Sequence, residues 1–523
     1  MSQTFVKGAL LLTIATFLSK VLGSVFRIPL QNIAGDEVLG IFSIVYPVYM
    51  TVLTISVAGI PIAISKLISE ARVKKDETEV RNVFVTASIL AFTLGCTSFI
   101  ILFSFADYIA VVLGGTYATY SIMVVSFTLI IAPYMAVYRG FFQGYDIMNP
   151  TAYSQVLEQF VRVALILVAA YYLVAQQAPN DVVAAGVMIG SSIGALASLL
   201  YLRVTFTKSG LKPGASEKYS WSTFKTFAKR ILVLSIPICV GALTMALLNL
   251  VDSVTVSNQL RAVGNSEADV AFLYGIYGRG LALVQIAVVF ASALILPLIP
   301  LITGALAKNE IERTREITEK ALKFTHLTAW PAAIGLLALS IPINLALFTD
   351  LEGNAVIAVL SFSALFTAFS VLTTGVLQGM NRPNQAAVIV MIAAGLKVVL
   401  NIILVRQFGL MGAAVSTLVT YIVLTSLNLW MMHRTIPFKV VKRDVFVFSG
   451  ASLVMGAVNA APLAFVDVSD WTRLTAFLYV CGMILVGAVI YGLLIVVGKG
   501  FSKQELEGLP LVGKLVGKRR KGV

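Results

Sequence analysis

Seven ionisable side chains lie inside long apolar segments of this 523-residue sequence, where a charge needs a partner or a water-filled cavity. They are the cations Lys20, Arg27, Arg162, Arg279 and Lys397 and the acids Glu158 and Asp252. A charge at the centre of an apolar helix costs on the order of 2.5–3.5 kcal/mol on insertion scales. The positive excess therefore predicts a cavity that binds an anion.

The spacing of these residues indicates which way they face. Lys20, Arg27 and Gln31 are separated by seven and four residues, which places them on one stripe of a helix. No acid accompanies them on that helix, so a role in the cavity is the favoured interpretation. Glu158 and Arg162 have the i,i+4 spacing of an ion pair, and an ion pair within one helical unit is favoured over a substrate contact.

The remaining charges leave two interpretations open. Asp252 and Lys397 form either a structural pair between neighbouring helices or part of the cavity wall. Arg279 lies near the predicted outer end of its helix, where it either reaches lipid headgroups or contributes to the cavity.

An anion-binding cavity lined by arginine is suited to a phosphate group, since a guanidinium holds two phosphate oxygens at once. Moving a diphosphate of about two negative charges out of an inside-negative cell gains roughly 4 to 5 kcal/mol per 100 mV. The charges thus predict an anionic substrate, and the energetics agree with its outward export.

The composition places these residues in a membrane. Apolar residues make up 58% of the sequence and charged residues 12%, with a mean hydropathy of +0.91. Soluble domains contain about 25% charged residues, so the chain is predicted to be an all-α polytopic membrane protein. The apolar runs do not alternate in polarity, which excludes an outer-membrane barrel. Fourteen transmembrane helices are predicted, starting near Lys7, Leu39, Arg81, Tyr117, Thr151, Val182, Arg230, Ala271, Ile317, Asn354, Pro383, Gly409, Asp444 and Trp471.

The distribution of Lys and Arg predicts the orientation. With both termini in the cytoplasm, most of the 39 cations fall in cytoplasmic segments. The predicted outer segments contain few cations but many acids, among them Asp36, Glu37 and Asp350. The net charge of +14 is therefore mostly an orientation signal. Basic residues interleaved with aromatic ones are not found, which argues against nucleic-acid binding.

An internal repeat divides the chain. One constant shift along the sequence carries Gly140, Gln143 and Gly144 onto Gly375, Gln378 and Gly379, and it carries Arg162 onto Lys397. Two copies of a six-helix unit in one orientation are predicted, with a central cavity between them. The predicted parts are an N-lobe (1–205, spans 1–6), a cytoplasmic connector (206–228), a C-lobe (229–433, spans 7–12), spans 13 and 14 (434–498) and a basic cytoplasmic tail (499–523).

The remaining motifs are assigned to packing. Gly140, Gly144, Gly375 and Gly379 favour close helix packing over a flexible gate, which is the alternative. The cysteines, Cys96, Cys239 and Cys481, lie in apolar runs, and the two histidines have no partner at ligand spacing. These patterns predict no metal, no catalytic site and no enzymatic activity.

Several short motifs resemble those of one family. They are Ser19-Lys20-Val21-Leu22-Gly23, Pro61-Ile62-Ala63-Ile64-Ser65-Lys66, Arg139-Gly140-Phe141-Phe142-Gln143-Gly144, Asn149-Pro150-Thr151-Ala152 and Ser154-Gln155-Val156-Leu157-Glu158-Gln159. The chain resembles, over essentially its whole length, the SpoVB-type polysaccharide exporters of the multidrug/oligosaccharidyl-lipid/polysaccharide (MOP) superfamily, which includes the MurJ-type lipid II flippases. The resemblance implies a two-lobe, alternating-access flippase in the bacterial plasma membrane. Its substrate would be an undecaprenyl-diphosphate-linked glycan, most of all lipid II.

The resemblance also implies roles for individual residues. Lys20, Arg27 and Arg279 match by location the cations that hold the diphosphate in the first and eighth spans, and spans 13 and 14 would form a groove for the lipid tail. Asp252 and Asn401, with Thr417 or Thr420, would supply a sodium site. Lys397 lies one turn from Asn401, where its ammonium would meet the ion, so sodium, protons and membrane potential alone all remain open as driving forces.

Other classes of protein are weighed against a lipid II flippase. They are a flippase for another undecaprenyl-linked polysaccharide, a cation-coupled drug exporter of the same fold, a membrane glycosyltransferase or O-antigen polymerase, and a non-transporting scaffold of sporulation or division. A drug exporter predicts more buried acids than cations, and a polymerase predicts a large outer loop. Cell-wall synthesis proteins are the expected protein partners.

Overall fold

The computed structural model describes residues 3–57, 59–211, 214, 219–439 and 443–501, and the regular elements in these residues are all helical. The α-helices are α1 (Gln3–Val25), α2 (Arg27–Val57), α3 (Ile60–Val73), α4 (Glu77–Ser104), α5 (Ala106–Val112), α6 (Thr119–Gly144), α7 (Asn149–Ala175), α8 (Asn180–Lys208), α9 (Trp221–Ala262), α10 (Glu267–Ala307), α11 (Ile311–Ala338), α12 (Ser340–Phe348), α13 (Asn354–Gly379), α14 (Pro383–Phe408), α15 (Leu410–Thr435), α16 (Arg443–Ala460) and α17 (Arg473–Val497).

The chain is a multi-pass all-α membrane protein, as the composition predicts. Within the described residues, eleven helical segments are long and apolar enough to cross a membrane, or up to twelve if the bent pair of α11 and α12 forms one span. One of these segments, Leu10–Val73, contains most of α1 together with α2 and α3. The count of fourteen spans therefore stays a prediction.

Polar side chains at the helix starts explain several of the boundaries. Ser220 begins α9 by accepting a hydrogen bond from the backbone N–H of Thr223, and Ser266 and Asp269 form a reciprocal capping box at the start of α10. Each side chain satisfies a backbone N–H that has no partner within the helix. Such caps define where the chain turns between spans.

The helix boundaries repeat in the register that relates the sequence motifs. The shift that carries Gly140 onto Gly375 also carries both ends of α6 onto the ends of α13, and a shift shorter by one position carries both ends of α4 onto those of α11. The short helix α5 likewise corresponds to α12, which is bent by 77° from the helix before it. A duplicated six-helix unit predicts this pattern.

The first two spans differ in detail from the sequence prediction. The predicted first helix bends at Phe26, so that it continues from α1 into the beginning of α2. Within α2, Gly35 leaves the helical conformation with a φ of 79°, a region that glycine adopts without steric cost. Asp36, which the sequence analysis places in an exposed outer segment, is buried because α2 resumes immediately after Gly35 and packs against α10.

The predicted connector and tail lie only partly within the described residues. Residues 206–208 belong to α8 and residues 221–228 to α9, so the connector of 206–228 is shorter than predicted. The aromatic residues at its end form the first turns of α9. Most of the predicted tail, from residue 502 onward, lies outside the described residues.

Two glycines bring α2 and α10 into close contact across the predicted lobe interface. A Cβ atom at Gly40 would lie 1.7 Å from the carbonyl oxygen of Ala271, and one at Gly275 would lie 2.0 Å from that of Asp36. Both distances are far below van der Waals contact. The interface at this end of the cavity therefore depends on residues without side chains.

We expect Gly275→Ala to destabilise the protein by about 1–3 kcal/mol, since the methyl group forces α2 and α10 apart. Gly395→Ala in α14 is the matched control, because a Cβ atom there would meet nothing within 4 Å. Thermal unfolding of the purified variants, followed by size-exclusion fluorescence, measures the difference. Equal midpoints for the two variants would refute the packing role of Gly275.

Candidate functional site

A cavity of about 660 Å³ lies between the two predicted lobes. Helices α1, α2 and α7 form one wall, and α9, α10, α13, α14 and α15 form the other. The first wall contributes polar residues, namely Thr16, Ser19, Lys20, Ser24, Arg27, Gln155, Glu158, Gln159 and Arg162. The second wall mixes aliphatic with polar side chains, and its charged residues in the described part of the chain are Asp252 and Lys397. Such a volume accommodates the head group of an organic substrate.

Lys20 and Arg27 both lie on the cavity wall. Neither forms an ion pair with a carboxylate among the residues that the structure describes. The guanidinium of Arg27 lies 5.8 Å from the ring centroids of Phe42 and Tyr46, and its buried Nε has no hydrogen-bond partner. A buried cation with an unused donor is a binding group for an anion that enters the cavity.

A second cationic group is formed around Glu158 in the N-lobe. The predicted pair with Arg162 is present at 2.9 Å, and Arg139 of α6 bonds the other carboxylate oxygen, also at 2.9 Å. Arg139 additionally donates to the hydroxyls of Ser154 and Ser198. Two guanidinium groups on one carboxylate leave this group with a single positive charge.

Arg139 is not among the seven charges that the sequence places inside apolar segments. The signal was its position directly before Gly140, within the apolar run that ends the fourth predicted span. Its side chain is 14% exposed, so it belongs to the protein interior.

Glycines of α8 hold this group against the cavity. A Cβ atom at Gly190 would lie 2.8 Å from the carbonyl oxygen of Arg162, and one at Gly194 would lie 2.7 Å from that of Glu158. This close backbone approach fixes α7 against α8.

The C-lobe wall contains a buried ion pair. Lys397 Nζ lies 2.6 Å from Asp252 Oδ2, and both side chains are 1% exposed. Tyr277 donates its hydroxyl to the same oxygen at 2.9 Å, and Asn401 donates its amide to Asp252 Oδ1 at 3.0 Å. The hydroxyls of Tyr277 and Thr417 are 2.6 Å apart. Of the two interpretations of Asp252 and Lys397, the structure combines both, since the pair is structural and also lines the cavity.

The residues that the resemblance assigns to a sodium ion thus lie together, but their arrangement does not fit the ion. Both oxygens of Asp252 already accept from a donor, and the Lys397 ammonium lies where a cation would contact the carboxylate. Asn401 Oδ1 is buried without a partner among the described residues, and the Thr417 hydroxyl lies beside Tyr277, so oxygen ligands are present next to the carboxylate. The lysine side chain is what occupies the cation position.

Arg279 does not line the cavity, contrary to the substrate-binding role predicted for it. Its guanidinium is fully buried and bonds Asp36 through both Nε, at 2.6 Å to Oδ1, and Nη2. Nη1 bonds Asp350 Oδ1 at 2.7 Å and Asn344 at 3.2 Å. Because its donors are taken up by Asp36, Asn344 and Asp350, Arg279 joins α2 to α10 and to the segment after α12 at the predicted outer end.

The repeated glycines take part in helix packing. A Cβ atom at Gly140 would lie 2.8 Å from the Pro61 carbonyl oxygen, and one at Gly144 would lie 2.8 Å from the Ile68 side chain. One at Gly379 would lie 3.2 Å from Ile302, and Gly375 is buried in the same helix. These contacts correspond to the packing role that the sequence analysis favours.

The charged residues that line the cavity in the described part of the chain are four cations and two acids. Both acids are paired, whereas Lys20 and Arg27 are not. The electrostatics of the cavity therefore favour an anion, as the sequence predicts.

Proteins of known sequence resemble this chain over most of its length. It is 30% identical over 523 aligned residues to the uncharacterized membrane protein YabM of Bacillus subtilis, with 97% of this chain and 95% of YabM covered. The stage V sporulation protein B of B. subtilis is 25% identical, with 98% and 99% covered. The lipid II flippase MurJ of B. subtilis is 28% identical, with 87% and 88% covered.

Solved structures share its fold. The lipid II flippase MurJ in an inward closed conformation superimposes with a TM-score of 0.64 at 18% identity, covering 93% of this chain and 98% of that structure. An inward-facing multidrug resistance transporter of the MATE family also gives a TM-score of 0.64, at 17% identity and with 80% and 94% covered. The chain therefore has the transporter fold of the MOP superfamily.

Residues 5–305, which are more than half of the chain, match the family described as polysaccharide biosynthesis protein. Together with the long alignments to its relatives, this match confirms the resemblance seen in the short motifs. The chain belongs to the polysaccharide biosynthesis protein family.

Proposed function

We propose that this protein is a lipid-linked oligosaccharide flippase that moves lipid II, the undecaprenyl-diphosphate-linked peptidoglycan precursor, from the inner to the outer leaflet by alternating access. The observation that carries the proposal is the position of Lys20 and Arg27 on the cavity wall, without a carboxylate partner in the described residues. A diphosphate of about two negative charges complements two unpaired cations.

The direction of transport follows from charge and membrane potential. Carrying about two negative charges out of an inside-negative cell gains roughly 4 to 5 kcal/mol per 100 mV. The net positive cavity also lowers the cost of holding the diphosphate away from water while it crosses the membrane.

The relatives support this choice of substrate. One is named lipid II flippase MurJ and is aligned over 87% of this chain, and another is named for stage V of sporulation. Lipid II is the substrate that we assign, and the proposal leaves both the vegetative wall and the spore wall as settings.

The membrane arrangement is part of the same proposal. We place the protein in the bacterial plasma membrane with both termini in the cytoplasm, near cell-wall synthesis proteins. The lipid tail is assigned to α16 and α17, since α17 exposes large apolar side chains along its length, among them Leu474, Phe477, Leu478, Ile484, Leu485, Val489 and Leu493. The oligosaccharide head group is assigned to the cavity.

Complementation tests the proposal. The gene is expressed in a bacterial strain whose own lipid II flippases are depleted, and lipid II at the outer surface is scored with an impermeant lipid II-degrading enzyme. We expect the protein to restore outer-surface lipid II. If the protein is well inserted and lipid II at the outer surface is not restored, lipid II is not its substrate. The second candidate substrate is another undecaprenyl-linked polysaccharide.

A drug exporter is the candidate from a different class, and the similarity to a MATE transporter favours it. An exporter of cationic drugs needs an acid that is free to meet its substrate. Glu158 bonds two arginines and Asp252 bonds a lysine, so neither cavity acid is free. Resistance to cationic drugs on expression in an exporter-deficient strain would favour this class over a flippase.

A further inference from the structure

The most unusual feature of the C-lobe is a full ion pair buried beside the cavity. Lys397 comes from α14 and Asp252 from α9, so the pair joins two helices within the membrane-spanning region. Replacing such a pair by apolar residues is often neutral or stabilising, so stability alone does not explain it.

The groups around the ammonium are the ligands of a hard monovalent cation. The carboxylate of Asp252 contacts the ammonium, Asn401 bonds that carboxylate and has a buried Oδ1 with no partner among the described residues, and the Thr417 hydroxyl is joined to the carboxylate through Tyr277. Hard metal cations prefer oxygen ligands of these types. Lys397 Nζ stands 2.6 Å from the carboxylate, at the distance of a direct ion contact.

We propose that Lys397 is a tethered cation that permanently fills the cation site of the C-lobe, so that this protein neither binds nor requires sodium there. The positive charge that a soluble ion would supply is instead part of the chain. The Lys397 ammonium cannot dissociate from the chain, so the C-lobe keeps the Asp252–Lys397 pair, which has no net charge, during the whole transport cycle. The inference concerns ion coupling and goes beyond the proposed function.

Removing the ammonium provides the test, because it leaves the carboxylate of Asp252 buried and unpaired. An unpaired buried charge is costly, so the carboxylate will recruit a small cation from solution if its oxygen neighbours are suitable ligands. Lys397→Met keeps an unbranched apolar side chain but deletes the charge. We expect this variant to acquire the sodium site that the wild-type protein lacks.

The measurement is equilibrium binding of radioactive sodium to the purified full-length protein in detergent, with choline chloride holding the ionic strength constant. We expect no saturable binding to the wild-type protein and saturable binding of about one sodium per chain to Lys397→Met. The midpoint of thermal unfolding of the variant is expected to rise by about 3 °C or more in sodium compared with choline. The wild-type midpoint is expected to be the same in both salts.

Two further variants isolate the cause. Arg162→Met also deletes a buried cavity cation, but Glu158 keeps Arg139 as its partner, so no sodium binding is expected. The double variant Asp252→Asn with Lys397→Met is expected to lose the acquired binding. Sodium binding by Arg162→Met, or its persistence in the double variant, would overturn the assignment to Asp252.

The sodium-binding measurement on the wild-type protein tests the proposal even if Lys397→Met does not fold. Saturable, sodium-specific binding by the wild-type protein that Asp252→Asn abolishes would overturn the proposal. A folded Lys397→Met variant without sodium binding would overturn it as well. Neither result bears on lipid II transport, so the flippase proposal stands or falls separately.

Discussion

Replacing Arg27 with alanine is expected to lower the lipid II that the protein exposes at the outer surface by roughly 30-fold or more. Truncating one partner of a buried charged hydrogen bond costs about 2–5 kcal/mol of binding free energy. Each 1.4 kcal/mol of this free energy changes the dissociation constant by about a factor of ten. Arg27 is 4% exposed and its Nε has no partner among the described residues, so an anion that enters the cavity is its available ligand. The complementation strain provides the measurement.

The conservative variant separates charge from geometry. Arg27→Lys keeps the positive charge but loses the planar fork that holds two phosphate oxygens, so an intermediate loss is expected. Arg313→Ala is the matched control, since Arg313 is 61% exposed and pairs with Glu310 on the surface, away from the cavity. It is expected to leave exposure of lipid II unchanged. If the Arg27→Ala protein, present in the membrane at the wild-type amount, exposes as much lipid II as the wild-type protein does, the diphosphate role of Arg27 is contradicted.

Replacing Arg279 with glutamine is expected to open the predicted outer end of the cavity. The substitution leaves Asp36 buried without its cation, and breaking a buried ion pair in this way costs about 3–5 kcal/mol. A conformation that hydrates Asp36 is then favoured. In a background without native cysteines, the variant Ser43→Cys reports the change, because Ser43 is buried at the cavity wall. We expect an impermeant thiol reagent to label it from outside at least tenfold faster.

Asp350→Asn is the matched control for this experiment. The Asp350 side chain is 39% exposed, and its loss leaves the bonds between Arg279 and Asp36 in place. Pairs with a partly exposed partner contribute about 0–1 kcal/mol, so a much smaller change in labelling is expected. Equal labelling of Arg279→Gln and the parent protein would show that the buried ion pair does not hold the outer end closed.

The dependence on pH follows from the same contact. Partial burial opposes ionisation of Asp350, but the hydrogen bonds from Arg279 and from the backbone N–H of Glu352 outweigh it and hold the pKa of Asp350 below its usual value of 3.8. A carboxyl with a lowered pKa stabilises the folded contact above its unfolded pKa and loses this contribution only as the pH falls through the lower value. The labelling rate at Ser43→Cys, divided at each pH by the rate for the same cysteine in the unfolded protein so that titration of the thiol cancels, is therefore expected to be flat between about pH 5 and 8. A step within that range would contradict the assignment.

Much of the cavity was predictable because its charges are rare in an apolar sequence. A charge is costly in a membrane, so each one inside an apolar run marks a site, as Lys20 and Arg27 do. Local spacing also predicted the Glu158–Arg162 pair, since residues four apart on a helix are neighbours. In contrast, Arg139 was not predicted as an interior charge, because the sequence around a charge at a helix end does not indicate whether the side chain faces water or the protein interior.

The fate of Arg279 could not be predicted from its surroundings in the sequence. Its partners Asp36 and Asp350 are 243 and 71 residues away, and both look like ordinary acids of exposed outer segments. Only the close approach of α2 and α10, at Gly40 and Gly275, brings Asp36 against the guanidinium. A residue that the resemblance predicts to be a substrate ligand is therefore part of a buried contact at the predicted outer end.

The sequence by itself determined the helical membrane fold, the family and the sign of charge in the cavity, because hydropathy, short motifs and the number of buried charges are properties of the chain alone. The tertiary structure decided which of these charges are still available to a ligand. Asp252 and Lys397 lie far apart in the chain, on α9 and α14, and Arg139 and Glu158 also lie on different helices. Coulombic pairing acts over a few ångströms, so helix packing selects the partners, and among the described residues it leaves Lys20 and Arg27 without a carboxylate.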